Sequence, residues 1–209
     1  SFSIKEGESF GLVGESGSGK STIAKMIVNL YRPTTGDIYF EDTCITKIKK
    51  HNEMMAFRKQ IQMIFQDPYS SLNGRLKVRD IIAEPIKLHQ SSISSIDLDD
   101  YIYDLLESVE LPKQASTRYP HEFSGGQRQR IAIGRALINQ PKVILADEPT
   151  GNLDRKTSDD ILDLLWDLND RLGRTLILVT HDHGLAQKTD RTVHIVDGRI
   201  ADQNQIVEA

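Results

Sequence analysis

The order of apolar and polar positions along the chain assigns most of its elements before any chemistry is considered. Phe2 and Ile4 alternate with polar neighbours, a turn follows at Glu6-Gly7, and "SFGLV" runs on from it, so the opening predicts two strands joined by a turn. Past the glycine-rich "GESGSGKST", the residues Ile23, Met26, Ile27 and Leu30 take helical spacing, with the helix ending before Pro33. "GDIYFED", after the Thr35-Gly36 turn, and the apolar "KQIQMIF", stopped by "QDP", predict two further strands. Between Pro68 and Glu122 the pattern turns more polar and helix-forming. There "HQSSISSIDLDD" reads as an exposed loop leading into a helix, and "YIYDLLESVEL" carries Ile102, Leu105, Leu106 and Val109 at helical spacing.

The last third returns to strands. "KVILADE" and "TLILVTHD" are apolar runs of the kind that buried strands show. Between them "SDDILDLLWDLNDRL" predicts an amphipathic helix with its stripe at Ile161, Leu165, Leu168 and Leu172, Asp159 and Asp160 at its N-terminus, and Gly173 at its end. "VHIVDGRI" predicts a hairpin across Asp197-Gly198. The whole reads as one α/β domain whose core comprises 1–67 and 123–209. A helical subdomain over 68–122 is inserted into it and continues into the next helix.

Composition narrows function more than fold. A length of 209 residues suffices for a buried core without disulfides, and the lone Cys44 excludes an internal one. No His/Cys cluster has zinc spacing, so a reducing compartment, the cytosol, is expected. The formal net charge of −4 argues against a general nucleic-acid binder, and Arg128, Arg130 and Arg135 read as helix-surface charges. No apolar run approaches the roughly 20 residues needed to span a bilayer, so a membrane role is expected to go through a partner. Cys44, Trp166, His51, His89, His121, His183 and His194 read as structural or surface positions. The chain opens without a methionine on what reads as strand interior, as expected of a fragment lacking its N-terminus.

Chemistry enters at "GESGSGKS", Gly14 to Ser21. It fits G-x-x-x-x-G-K-[ST] between a predicted strand and a predicted helix, where backbone amides wrap phosphates, Lys20 neutralises the β/γ oxygens and Ser21 offers a hydroxyl to Mg²⁺. At the end of "VILADE", Asp147 is placed to hold Mg²⁺ and Glu148 to deprotonate an attacking water; the alternative is a strand ending in two solvated acids. Gln66 offers an amide oxygen to Mg²⁺ or the water, or is a surface glutamine. His181 offers a hydrogen bond to the γ-phosphate or the water, or is a structural or exposed histidine. "EFSGGQRQR" has the form of a helix start that lies close to an anion, since glycines remove bulk and the first amides carry partial positive charge.

Taken in order, "GESGSGKST", "FQDP", "FSGGQ", "VILADEP", "GNLD" and "THD" resemble the Walker A, Q-loop, signature, Walker B, D-loop and switch motifs of the ATP-binding cassette ATPases, over essentially the whole chain. The resemblance implies a P-loop NTPase core with a small antiparallel β part and an inserted helical subdomain, hydrolysing ATP with Mg²⁺. Carried over by position, Gly14, Glu15, Ser16, Gly17, Ser18, Gly19, Lys20, Ser21 and Thr22 would bind nucleotide phosphates, and Ser21, Gln66 and Asp147 would form the Mg²⁺ environment. Glu148 would be the catalytic base, His181 the γ-phosphate switch, and Asp154 a dimer-interface residue. Ser124, Gly125, Gly126 and Gln127 would form the signature, which in this family covers the ATP held by a second chain packed head to tail.

The same resemblance implies partners: a second cassette chain, identical or different, transmembrane permease subunits and, for import, a solute-binding protein, with no nucleic acid. It implies a peripheral place on the cytoplasmic face of the cell (inner) membrane. "MIFQDPYSSLN", "DIIAEPI" and "YPHEFSGGQRQRIAIGRAL" resemble oligopeptide and dipeptide importer ATPases, with departures at Gly74 and His183. "ADEPTGNLD", "GRTLILVTHD" and "DGRI" look more like lipoprotein-releasing and macrolide-exporter ATPases. Peptide import is the expectation, because in this family the Q-loop and helical subdomain meet the membrane partner. Export is the alternative; a non-transport regulatory cassette is another, opposed by the intact Glu148 and His181. The family's adenine-stacking aromatic residue lies upstream of the first strands, so this stretch is expected to bind nucleotide weakly.

Overall fold

The computed structural model describes residues 1–89 and 95–201, so the expected loop "HQSSISSIDLDD" lies partly outside the described residues. The elements begin with β1 (Ser9–Val13), α1 (Lys20–Ile27), β2 (Tyr39–Phe40), β3 (Thr43–Cys44), α2 (His51–Gln60) and β4 (Ile61–Ile64). Then come α3 (Pro68–Ser71), α4 (Val78–His89), α5 (Ser95–Ser108), α6 (Gly125–Leu137), β5 (Val143–Asp147) and α7 (Arg155–Leu172). β6 (Thr175–Thr180), α8 (His183–Ala186), β7 (Arg191–Val196) and β8 (Arg199–Ile200) follow. They form two compact units, one of Ser1–Met63, Lys142–Glu148 and Asn169–Ala209, the other of Ile64–Pro141 and Pro149–Leu168.

The first unit is built on a sheet in the order β4-β5-β6-β1-β7-β8. β1 pairs in parallel with β6 on one edge and β7 on the other, β5 pairs in parallel with β6, and β8 turns back antiparallel to β7. Every residue of β1, β5 and β6 is buried, which is why these strands read as unbroken apolar runs. Phe10 and Leu12 of β1 share a core with Leu145 of β5, Ile177 and Val179 of β6, Ala24 and Val28 at α1, and Phe57 of α2. Burying each larger side chain contributes roughly 1.5–3 kcal/mol.

Three expectations change here. Ser1–Lys5 forms no strand, because β1 is already hydrogen-bonded on both edges and has none left for a hairpin partner. Phe2 packs instead by stacking on the Phe10 ring, centroids 5.4 Å apart. α1 stops at Ile27, short of the predicted end: Asn29 takes φ 55°, its Nδ2 donates to the Ile45 carbonyl oxygen at 3.2 Å, and Leu30 is left half exposed. The "GDIYFED" strand shrinks to the two residues of β2, paired with β3 in a separate antiparallel ribbon. The hairpin between β7 and β8 forms where predicted, with Asp197 and Gly198 at φ 48° and 73°, the paired positive values that a two-residue type I′ turn requires.

In the second unit α4, α5 and α6 pack on one another, and Ile82, Ile102, Leu106 and Ile131 on them, with Val109 just past α5, are fully buried. This packing groups α6 with the helices before it. It also corrects the reading of its arginines as surface charges. Arg128 is 7% exposed, Arg130 pairs with Glu110 at 2.8 Å, and Arg135 donates to the Ser71 carbonyl oxygen while burial pushes its pKa below the ordinary arginine value. α7 starts at Arg155, a turn before Asp159 and Asp160, and Gly173 at φ 59° follows its end. Ile161, Leu165 and Leu168 of its stripe are buried, whereas Leu172 in the last turn is not.

Candidate functional site

β1 runs straight into the glycine loop and α1 starts at Lys20, so the phosphate-loop pattern lies between strand and helix. Gly14 passes so close to β7 that a Cβ on it would stand 2.1 Å from the Ile195 carbonyl oxygen. Gly17 and Gly19 hold φ of 83° and 102°, where other side chains are strained. The Ser18 carbonyl oxygen accepts from Gly198 N at 3.0 Å, which ties the loop to the β7–β8 turn. Glu15, Ser16 and Thr22 are exposed. Gly19, the cap of α1, makes no side-chain bond and the first turn holds no acidic residue, so the positive end of this helix keeps its capacity for an anion.

Lys20 is 4% exposed, and its Nζ donates to the carbonyl oxygens of Gly14 and Glu15, each at 2.7 Å. Both partners are neutral, so a buried positive charge remains available to phosphate oxygens. Ser18 Oγ is buried without a hydrogen-bond partner, a cost that an additional oxygen or proton donor would relieve. Ser21 Oγ donates to Asp147 Oδ1 at 3.0 Å, joining α1 to the end of β5. Burial pushes the Asp147 carboxyl above its usual range and the nearby Glu148 charge adds to this, while the Ser21 bond opposes it.

Glu148 leaves the strand at φ 45°, its N–H donating to the Val179 carbonyl oxygen at 2.9 Å. Such a backbone costs about 1–3 kcal/mol and clusters at functional positions. His181, just past β6, brings Nδ1 to 3.3 Å from Glu148 Oε2. The first unit thus gathers Gly14 to Thr22, Asp147, Glu148 and His181 at the C-terminal ends of β1, β5 and β6, as expected for a ligand site on a parallel sheet.

Gln66, Ser124 to Gln127 and Asp154 belong to the second unit. Ser124 caps α6 reciprocally: its Oγ accepts from Gln127 N at 3.3 Å, and Gln127 Oε1 accepts from Ser124 N at 3.1 Å. The two glycines have a reason inside the chain as well. A Cβ at Gly126 would come within 2.3 Å of Thr157 Cγ2, and one at Gly125 within 3.2 Å of Leu153. Asp154 caps α7, its carboxylate accepting from Thr157 N at 3.1 Å and Thr157 Oγ1 at 2.7 Å, bonds that hold its pKa below the usual range. Sequence reasoning missed this cap, although "DRKT" carries the signal, a cap residue three positions before a side chain that can answer it.

The ABC transporter family matches residues 1–151, well over half the chain. The chain belongs to that family. It is 52% identical, over 182 residues, to the oligopeptide transport ATP-binding protein OppF of Streptococcus mutans serotype c, covering 87% of this chain and 59% of that one. To the protein of the same name in Bacillus subtilis it is 44% identical over 182 residues, covering 87% and 60%. The chain spans about three fifths of the length of these curated relatives. Among solved structures, it resembles the dimeric post-hydrolysis state of the ATP-binding cassette MJ0796 bound to ADP and Pi. The TM-score is 0.85 at 35% identity, over 96% of this chain and 86% of that one.

The cassette's residues fit a magnesium nucleotide. Ser21 and Asp147 offer two hard oxygen donors 3.0 Å apart beside a buried ammonium, and Mg²⁺ is usually held by one or two protein groups with phosphates and water filling the rest of its shell. Among the described residues no group of three or more His, Cys, Asp and Glu forms a fuller metal site. No helix among them is long and apolar enough to cross a membrane.

Proposed function

We propose that this cassette is the ATP-hydrolysing subunit of a peptide transporter, working in import. The observation that carries the hydrolytic part is the group at the strand ends of the first unit: buried Lys20, the Ser21–Asp147 pair, and Glu148 beside His181. The peptide part is supported by the relatives named above and by the "MIFQDPYSSLN" and "YPHEFSGGQRQR" segments.

In this reading Lys20 and the loop amides hold the β- and γ-phosphates. Glu148 takes a proton from water as the water oxygen bonds to the γ-phosphorus; the bond from that phosphorus to the bridging oxygen breaks, leaving ADP and phosphate. Mg²⁺ held at Ser21 and Asp147 would supply neutralisation of phosphate charge. His181 orients Glu148 and contacts the γ-phosphate, and Gln66 is assigned to the Mg²⁺ environment and the water. Ser124, Gly125, Gly126 and Gln127 are assigned to the ATP of a second cassette chain, with Asp154 at the interface; the dimeric state of MJ0796 supports such pairing. Permease subunits hold the pair peripherally at the cytoplasmic face of the membrane, with a solute-binding protein delivering peptide.

The test uses the full-length protein with its permeases in liposomes: peptides are expected to stimulate ATP turnover several-fold. Stimulation by lipoproteins or macrolides instead would favour export, the reading that "ADEPTGNLD" and "GRTLILVTHD" support. Pairing has its own check. Chains carrying Lys20→Ala or Ser124→Arg are each expected to be inactive alone, whereas an equal mixture regains activity from mixed dimers in which one site collects both defects and the other is intact. Failure to regain activity from purified mixed dimers counts against a shared site.

A further inference from the structure

Within the second unit, α6 lays three side chains on the segment from Phe65 to Ser71. Gln129, fully buried, donates from Nε2 to the Phe65 carbonyl oxygen at 3.4 Å; the Arg128 guanidinium lies 3.6 Å from the centroid of the Tyr69 ring; Arg135 donates to the Ser71 carbonyl oxygen. Arg128 and Arg135 are two helical turns apart and so share a face, along which the segment runs. The other side of Gln66 is held too. Its carbonyl oxygen accepts from Asn152 Nδ2 at 3.4 Å, and a Cβ on Gly151 would stand 2.7 Å from its Nε2.

Arg128 is the unusual member. It is 7% exposed, its Nε has no hydrogen-bond partner, and among the described residues no ion pair holds it. A buried guanidinium ordinarily requires a carboxylate. Here the face of Tyr69 meets the guanidinium instead, a cation–π contact on an arginine that is itself nearly buried. Tyr69 is itself 64% exposed, so burial does not explain where its ring lies.

We infer that Arg128 is a positioning residue: stacked on Tyr69, it locks the Gln66 segment to the signature helix, so that Gln66 and Ser124 shift as one body. The inference rests on the proposed roles of these two residues at ATP. In that proposal they serve different ATP sites of the dimer, so the lock ties the state of one site to hydrolysis at the other.

The test compares Arg128→Met, Arg128→Lys, Tyr69→Ala, Tyr69→Phe and the double variant Arg128→Met/Tyr69→Ala in the full-length protein with its permeases. Arg128→Met and Tyr69→Ala are expected to lower kcat about tenfold with KM for ATP within about twofold, and the double variant to be no worse than either, as for residues acting through one contact. The Hill coefficient for ATP falls toward one. Tyr69→Phe, which keeps the ring face, stays close to wild type, and Arg128→Lys retains part of the effect. Amide exchange over residues 65–71 speeds up about tenfold in Arg128→Met while residues 14–22 are unchanged, as for a local opening. Unchanged kcat, additive losses, or unchanged exchange at 65–71 would each overturn the lock. A wild type without ATP turnover would sink the proposed function instead, and the exchange measurement then decides the lock alone.

Discussion

Glu148→Gln is expected to lower ATP turnover by about 10²–10⁴-fold while ATP still binds, because a general base, the role proposed for Glu148, contributes on that scale and an amide cannot accept the proton. Gln keeps the length of the side chain and a group able to meet His181 Nδ1, which lies 3.3 Å from the carboxylate, so the strand end need not rearrange. The substitution also removes a negative charge that helps raise the Asp147 carboxyl. Asp147 should therefore ionise more readily, and Mg²⁺-dependent ATP binding at mildly acidic pH is expected to strengthen. The Asp147→Asn control behaves differently, losing hydrolysis and Mg²⁺-dependent binding together. Single-turnover hydrolysis and equilibrium ATP binding, measured side by side, separate the two. Turnover of Glu148→Gln within tenfold of wild type would mean that another group takes the proton.

Much of the candidate site's local geometry was legible because it is set within a few residues of sequence. The loop from Gly14 to Ser21, the cap from Ser124 to Gln127 and the Asp197-Gly198 turn are each set by bonds or dihedrals spanning a few residues, so the pattern and its geometry coincide. What escaped depends on distant partners. Phe2 and Ile4 alternate as a strand would, but whether they pair depends on the edges of β1, taken by β6 and β7 from the far end of the chain. Arg128 reads as an exposed charge until Tyr69, from the segment before α4, covers it. Asp159 and Asp160 mark a helix start by composition, whereas Asp154 makes one by accepting two bonds from Thr157.

The glycines show both limits at once. Gly125 and Gly126 read as room for an anion, and the chain itself uses that room for Leu153 and Thr157. Gly14 reads as one position of a motif. Its tightest constraint is a carbonyl oxygen from residue 195, which no spacing rule near the loop reveals.

That constraint carries the other large prediction. Gly14→Ala is expected to destabilise the first unit by about 1–3 kcal/mol, the usual range for forced overpacking, and to weaken ATP binding at least about tenfold. The new methyl would stand 2.1 Å from the Ile195 carbonyl oxygen and 2.8 Å from Ser18 Oγ. The hydroxyl can rotate away. The carbonyl cannot, because β7 is paired along β1 up to the Val13–His194 register immediately before the glycine. The loop must then move, drawing the Gly14 carbonyl oxygen off Lys20 Nζ, to which it is bonded at 2.7 Å, and displacing the ammonium proposed to meet phosphate. Gly17→Ala is the comparison: it has no atom within 4 Å of the added carbon, and its φ of 83° costs only the left-handed strain, roughly 1–2 kcal/mol. Denaturant unfolding and ATP titration of both variants should thus show similar modest losses of stability but a much larger loss of binding for Gly14→Ala. Wild-type binding in Gly14→Ala would mean that the loop holds Lys20 without the close approach to β7.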